Sequence, residues 1–265
     1  MKKTVVALAV AASAVLSGSA AAGWDIGGKG GAVNFGGTLC HEEKVDSPWA
    51  VYVGDGASDL NDMQSSDSGK TFMQSVSKPV PVLGLKVTTD TKTFKGGVGL
   101  SPQINYGGAI DTSRVNNGEF ALELDVKNGE GYNVGKMYSV LFASAEAVSY
   151  LGKLIGSPKQ HVGLYAERAG QGFFGGLPTE EGKVKNDQAS AESFFPGMLD
   201  SFWGQGRVPK TMGSTDFAGS QTVYSAFYAA GIKSGSNITV VLDKPIRSGE
   251  QLKWTASMPI TVSYQ

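Results

Sequence analysis

Few side chains in this chain could carry out covalent chemistry. The single cysteine, Cys40, stands beside His41, Glu42 and Glu43, a grouping that would suit a thiol nucleophile or a metal ion. On a strand, neighbouring side chains point to opposite faces, so Cys40 and His41 could not act together there, and a buried, inert thiol is the reading favoured. The other histidine, His161, could serve as a general base, although an isolated histidine beside a strand is more often structural or exposed. Glu167 and Glu192 would make a glycosidase pair if the fold held them at the right separation, which spacing alone cannot fix. Solvated surface carboxylates are the simpler reading. One cysteine and two histidines are too few for a structural zinc site, and one cysteine cannot build a disulfide framework. No Gly-x-Ser-x-Gly or His-Glu-x-x-His string occurs. The run Gly27-Gly28-Lys29-Gly30-Gly31 lacks phosphate-loop spacing. The sequence therefore implies no enzyme, no catalytic residues, no cofactor and no metal.

Tyr165, Phe173, Phe174, Phe202 and Trp203 could instead stack on sugar rings, or form a small local core. Tyr165, Phe173 and Trp203 are the candidates for a saccharide-binding surface. Nucleic acid is not an expected partner. With 23 Lys+Arg against 24 Asp+Glu, the net charge of −1 offers no domain-wide positive field.

The elements that must position these residues read mostly as strands. Met1 to Ala22 has the form of a secretory leader: Lys2 and Lys3, then the apolar Val5 to Leu16, then Ala20-Ala21-Ala22 as a cleavage site. The apolar stretch is shorter than the roughly 20 residues a bilayer-spanning helix needs. An exported protein is expected. Residues 23–39 form a glycine-rich extension in which Val33, Phe35 and Leu39 alternate with Asn34 and Thr38, with Gly36 and Gly37 between. This is the pattern of a strand with one apolar face.

Further strands are expected at Trp49–Val53, Thr71–Ser77, Val80–Thr88, Thr222–Ala229, Asn237–Leu242 and Met258–Tyr264. The clearest is Phe120 to Val126, with apolar residues at every second position. The turn signal Asn128-Gly129 follows it, and Val134–Ala143 is its expected hairpin partner. Asp187 to Trp203 has helical spacing, with Asp187 as N-cap and Pro196 either kinking the helix or starting a second one. His161–Ala166 and Gly172–Gly176 read as short strands around a turn at Gly170. A region from about 152 to 216 is therefore expected as a small α/β insertion in an antiparallel β-sandwich spanning 40–265.

At this point the residues match a known pattern. Ala32-Val33-Asn34-Phe35-Gly36-Gly37-Thr38, Trp49-Ala50-Val51-Tyr52-Val53-Gly54-Asp55-Gly56 and Phe174-Gly175-Gly176-Leu177-Pro178 are its first three carriers. Gln251-Leu252-Lys253-Trp254 and Ile260-Thr261-Val262-Ser263-Tyr264 complete it. In order and placement these segments resemble the kappa-class (Fae-type) chaperone–usher fimbrial subunits, the enterotoxigenic subunit-adhesins and their minor companions.

The resemblance implies an all-β fold: an incomplete immunoglobulin-like antiparallel β-sandwich that lacks its last strand and is completed by a donor strand from a neighbouring subunit. It assigns the donor to 23–39, through Ala32, Val33, Phe35 and Gly37. It assigns the groove strand and chaperone contact to Met258, Ile260, Val262 and Tyr264, with the terminal carboxylate on Gln265. Trp24 to Leu39, extended at about 3.3 Å per residue, spans roughly 50 Å, enough to cross a neighbouring domain. The implied partners are other fimbrial subunits, a periplasmic chaperone, an outer-membrane usher and host glycans. The implied location is a cell-surface fimbrium reached through the periplasm. A major adhesive subunit, a minor subunit without receptor binding and a self-contained secreted carbohydrate-binding sandwich all fit these residues.

Overall fold

The computed structural model describes residues 5–7, 47–65, 69–88, 90–152 and 160–265. The expected donor residues Ala32, Val33, Phe35 and Gly37 lie outside them, as do Cys40 and His41. In chain order the strands are β1 (Val5–Ala7), β2 (Trp49–Val53), β3 (Gln64–Ser65), β4 (Thr71–Ser75), β5 (Val80–Val87), β6 (Phe94–Lys95), β7 (Pro102–Asn105) and β8 (Ile110–Asn116). They continue with β9 (Glu119–Asn128), β10 (Asn133–Leu151), β11 (Gln160–Leu164), β12 (Thr211–Gly213), β13 (Thr222–Ile232), β14 (Asn237–Leu242), β15 (Trp254–Ala256) and β16 (Thr261–Tyr264). One α-helix, α1 (Gln188–Phe194), interrupts them.

The fold is an all-β sandwich. Its large sheet runs β2-β5-β13-β10-β14-β4-β3, with β9 also on β10, β8 and β15 on β9, and β6 on β13. Its small sheet is β1-β16-β7. All pairs among the described strands are antiparallel except β11 with β12.

The strongest sequence signal is realised residue by residue. Along β9, Phe120, Leu122, Leu124 and Val126 are buried and the residues between them are exposed. The Asn128 side-chain oxygen accepts from the amides of Glu130 and Tyr132, which fixes the turn into β10. The partner strand runs on to Leu151, eight residues beyond the expected end at Ala143. From Phe142 onward β10 pairs with β13, and both of its faces are covered as far as Val148, so the polar-apolar alternation that marks a half-exposed strand disappears. Ala143, Ala145 and Ala147 face the main core with Tyr228 and Ala230 of β13. Phe142, Val148, Phe227 and Ala229 face a second cluster on the other side of the sheet.

That second cluster is where α1 sits. Asp187 caps the helix by accepting from the Ser190 amide at 2.9 Å and the Ser190 hydroxyl at 2.6 Å. Burial opposes ionisation of Asp187, but those bonds and Lys233 outweigh it and hold the carboxyl below its usual range. The helix ends at Phe194, two residues before Pro196, and a single 3-10 turn follows at Leu199–Ser201. The expected helix to Trp203 is thus shorter, because proline cannot continue the hydrogen-bond ladder. The spacing still selects the buried side chains. Phe194, Met198, Leu199 and Phe202 all pack against Phe142, Val148 and Phe227.

Candidate functional site

The expected groove strand has the predicted alternation over a shorter length. Ile260, Val262 and Tyr264 are buried and Met258 packs against the same core, while Thr261 and Ser263 are half-buried. Regular pairing starts only at Thr261, after Pro259, which has no N–H to offer a ladder. One edge of β16 pairs with β7, from Thr261 opposite Asn105 to Tyr264 opposite Pro102. Beyond the strand, the Gln265 amide donates to the Ser101 carbonyl, and the Ser101 amide donates to Gln265, each at 3.0 Å. The chain terminus is therefore held by main-chain bonds beside β7, with the Gln265 side chain exposed.

The other edge of β16 takes a strand from far away in sequence. Val5–Ala7 pairs with it antiparallel, Val5 opposite Tyr264 and Ala7 opposite Val262. Those three residues belong to the segment expected to be a leader. The same end of β16 is where the domain begins. Burial raises the Tyr264 phenol above its ordinary range, partly offset by a hydrogen bond from Ser47. Two residues on, the Trp49 indole donates to the Leu100 carbonyl at 2.8 Å. Among the described residues β2, which starts at Trp49, pairs only with β5.

The far edge of the small sheet is closed by the chain itself. Gly172–Gly176 is a turn rather than the expected strand, with one parallel bridge from Phe174 to Gln103. The Phe173 amide donates to Pro102 at 2.6 Å and the Ile104 amide to Phe174 at 2.8 Å. Gln103 and Gln171, both buried, staple this turn. Gln103 Nε2 donates to the Gln171 carbonyl, Gln103 Oε1 accepts from the Gly170 amide, and Gln171 Oε1 accepts from the Glu167 amide. Phe173 adopts φ +64° and Gly175 φ +85°. A Cβ on Gly175 would lie 2.0 Å from the Ile104 carbonyl oxygen, so the close approach requires glycine. The Tyr228 hydroxyl bonds the Gly176 carbonyl and the Tyr106 hydroxyl, and burial pushes both phenols far up.

The three candidates for a saccharide surface are not brought together. Phe173 is 0% exposed, wedged edge-on against Trp49 and Phe217 and stacked on Tyr228, so its ring belongs to the core. This corrects the expectation of a ligand-facing side chain. Trp203 is half-buried and stacks face to face on Tyr150 at 5.4 Å, with an interplanar angle of 5°. Tyr165 is half-buried beyond the end of β11.

The chemistry-bearing candidates are also accounted for. His161 Nε2 lies 2.8 Å from Glu146 Oε2, which also accepts from Gln188 at 2.7 Å. Glu146 is 1% exposed, so these bonds tie β11 and the start of α1 to β10. Glu192 accepts from the amides of Gly197 and Leu199 and closes the turn after α1, whereas Glu167 is exposed. Between the end of β10, β11, β12 and the residues 207–210 opens a cleft of about 880 Å³, with Arg207, Lys210 and Gln160 in its wall. Sequence reasoning did not single out Arg207 or Lys210. They carry no periodicity, and the long β10 that forms the floor was itself cut short.

A family model described as "fimbrial, major and minor subunit" matches residues 1–265. K88 fimbrial protein AC and K88 fimbrial protein AB of Escherichia coli are each 29% identical to this chain, with all of both chains covered. The F41 fimbrial protein of Escherichia coli is 27% identical over the same full coverage.

Proposed function

The chain belongs to the family of major and minor fimbrial subunits, and from that premise we propose that it polymerises by donating the strand 23–39 to a neighbouring copy and receiving one along β16. The observation that carries the reading is the pairing of β16. Its outer edge accepts an antiparallel strand of apolar sequence that is remote from the domain. Chain polarity supports an intermolecular donor. The described domain starts at Ser47, beside Tyr264, so a segment running straight back from there along its own groove would lie parallel to β16. A strand from a second subunit is free to enter antiparallel.

The energetics favour such an exchange. An unfilled edge leaves main-chain N–H and C=O groups unpaired beside apolar side chains, which is both a cost and an aggregation hazard. Val33 and Phe35 offer about 1.5–3 kcal/mol each on full burial, and the ladder bonds add to that. Before polymerisation a periplasmic chaperone covers this edge and holds the Gln265 carboxylate, and an outer-membrane usher exports the subunit after residues 1–22 are removed. On the finished fimbrium, the insertion 152–216 faces host-cell glycans.

The test is deletion of 23–39 together with a synthetic peptide of that sequence. The truncated subunit should form no polymer, yet bind the peptide as a stable monomer. At a hundredfold excess over Kd, mass action alone adds about 2.7 kcal/mol to its unfolding free energy. A truncated subunit whose denaturation midpoint ignores the peptide, or which still polymerises, sinks the proposal.

A further inference from the structure

The cleft in the insertion has a charge character that the adhesion reading does not itself require. We propose that it binds an acidic saccharide, one bearing a carboxylate or a sulfate, and that Arg207 and Lys210 recognise the anionic group. The inference rests on the reading of this chain as an adhesive subunit and adds the ligand class and its place.

Several observations converge on this site. Its volume, about 880 Å³, falls within the roughly 300–1,000 Å³ usual for small-molecule sites. Among the described residues its wall holds two cations, Arg207 and Lys210, and no Asp or Glu. Both cations are exposed, and among the described residues neither makes an ion pair. Glu146, hydrogen-bonded to the lining residue His161, is 1% exposed, and its Oε2 is held by His161 and Gln188.

The rest of the lining suits a sugar. Ser149, Gln160, Thr211 and Ser214 present hydroxyl and amide groups able to donate to and accept from ring hydroxyls. Val208, 83% exposed at the lip, offers an apolar contact for the non-polar face of a pyranose. A guanidinium fork matches a carboxylate or sulfate with two parallel hydrogen bonds, and the lysine adds a second point charge.

The experiment uses assembled fimbriae carrying the wild-type chain, Arg207→Gln, Lys210→Gln or both changes. Retention is measured on immobilised sialyllactose, sulfated lactose and unmodified lactose. Because both side chains are exposed, fimbrial yield should not change. Wild-type fimbriae should hold one or both acidic sugars at least about tenfold more tightly than lactose. Each single change should cost about tenfold, as expected for one charge-assisted contact, and the double change should bring retention down to the lactose level. The two acidic arms decide between carboxylate and sulfate. Fimbriae that hold lactose as well as the acidic sugars, or acidic-sugar retention indifferent to both substitutions, overturn the cleft's assignment and leave adhesion standing. Fimbriae that hold none of the three overturn the cleft and the adhesion reading together, while polymerisation remains measurable by itself.

Discussion

The two edges of the small sheet meet the same physical problem in opposite ways. At β7 the chain folds back on itself. The turn 172–176 supplies main-chain partners, two buried glutamines fix it, and Phe173 is driven into the core at a positive φ that a phenylalanine adopts only under constraint. At the outer edge of β16, the strand found among the described residues is Val5–Ala7, from the other end of the chain. One edge is thus closed by a local turn and the other by a remote segment. On the proposed reading the β7 edge fixes the domain, and the β16 edge is the one offered to a partner.

The largest expected effect tests the closed edge. Phe173→Ala removes a fully buried ring that contacts Trp49, Phe217 and Tyr228, and should cost about 3–5 kcal/mol in urea unfolding of the strand-complemented subunit. The cost should be the same whichever donor strand is bound. A loss that varies with the donor would mean that the two edges are not independent.

A smaller change sharpens the contrast. Gly175→Ala places a Cβ against the Ile104 carbonyl at a φ of +85°, and should destabilise the domain by about 1–3 kcal/mol without altering donor affinity. Peptide titration of the variant checks the second half of that expectation.

The smallest effect lies away from both edges. Asp187→Ala removes the cap of α1 and should cost about 1 kcal/mol with or without donor. Because the folded carboxyl titrates below its unfolded value of about 3.9, its ionic contribution is complete above that pH. It is lost as pH falls through the lower folded value. The gap between wild type and variant, followed by denaturation at pH 7 and in steps below pH 4, should therefore narrow on acidification.

Much of this architecture is visible in the residues. Alternation in Phe120–Val126 and in Ile260–Tyr264 sets which side chains face inward, since a strand has only two faces and water discriminates between them. The cap at Asp187 and the stop before Pro196 follow from local main-chain chemistry. The glycine-rich extension and the closing strand are likewise local patterns, and with the family resemblance they were enough to suggest a fimbrial subunit.

Other features depended on what meets what across the fold. The second half of β10 has no alternating pattern because helix and core cover both its faces, so its length is set by β13 and not by its own residues. Phe173 looks like an aromatic available to a ligand until Trp49, Phe217 and Tyr228, distant in sequence, close around it. Arg207 and Lys210 are ordinary surface cations in the sequence and share a wall only because β11 and β12 turn the chain back beside β10. Local patterning could say which residues seek burial, because that preference belongs to each side chain and its near neighbours. Which segment closes each edge and which charges share a cleft are properties of contacts between distant segments, and the tertiary structure alone decided them.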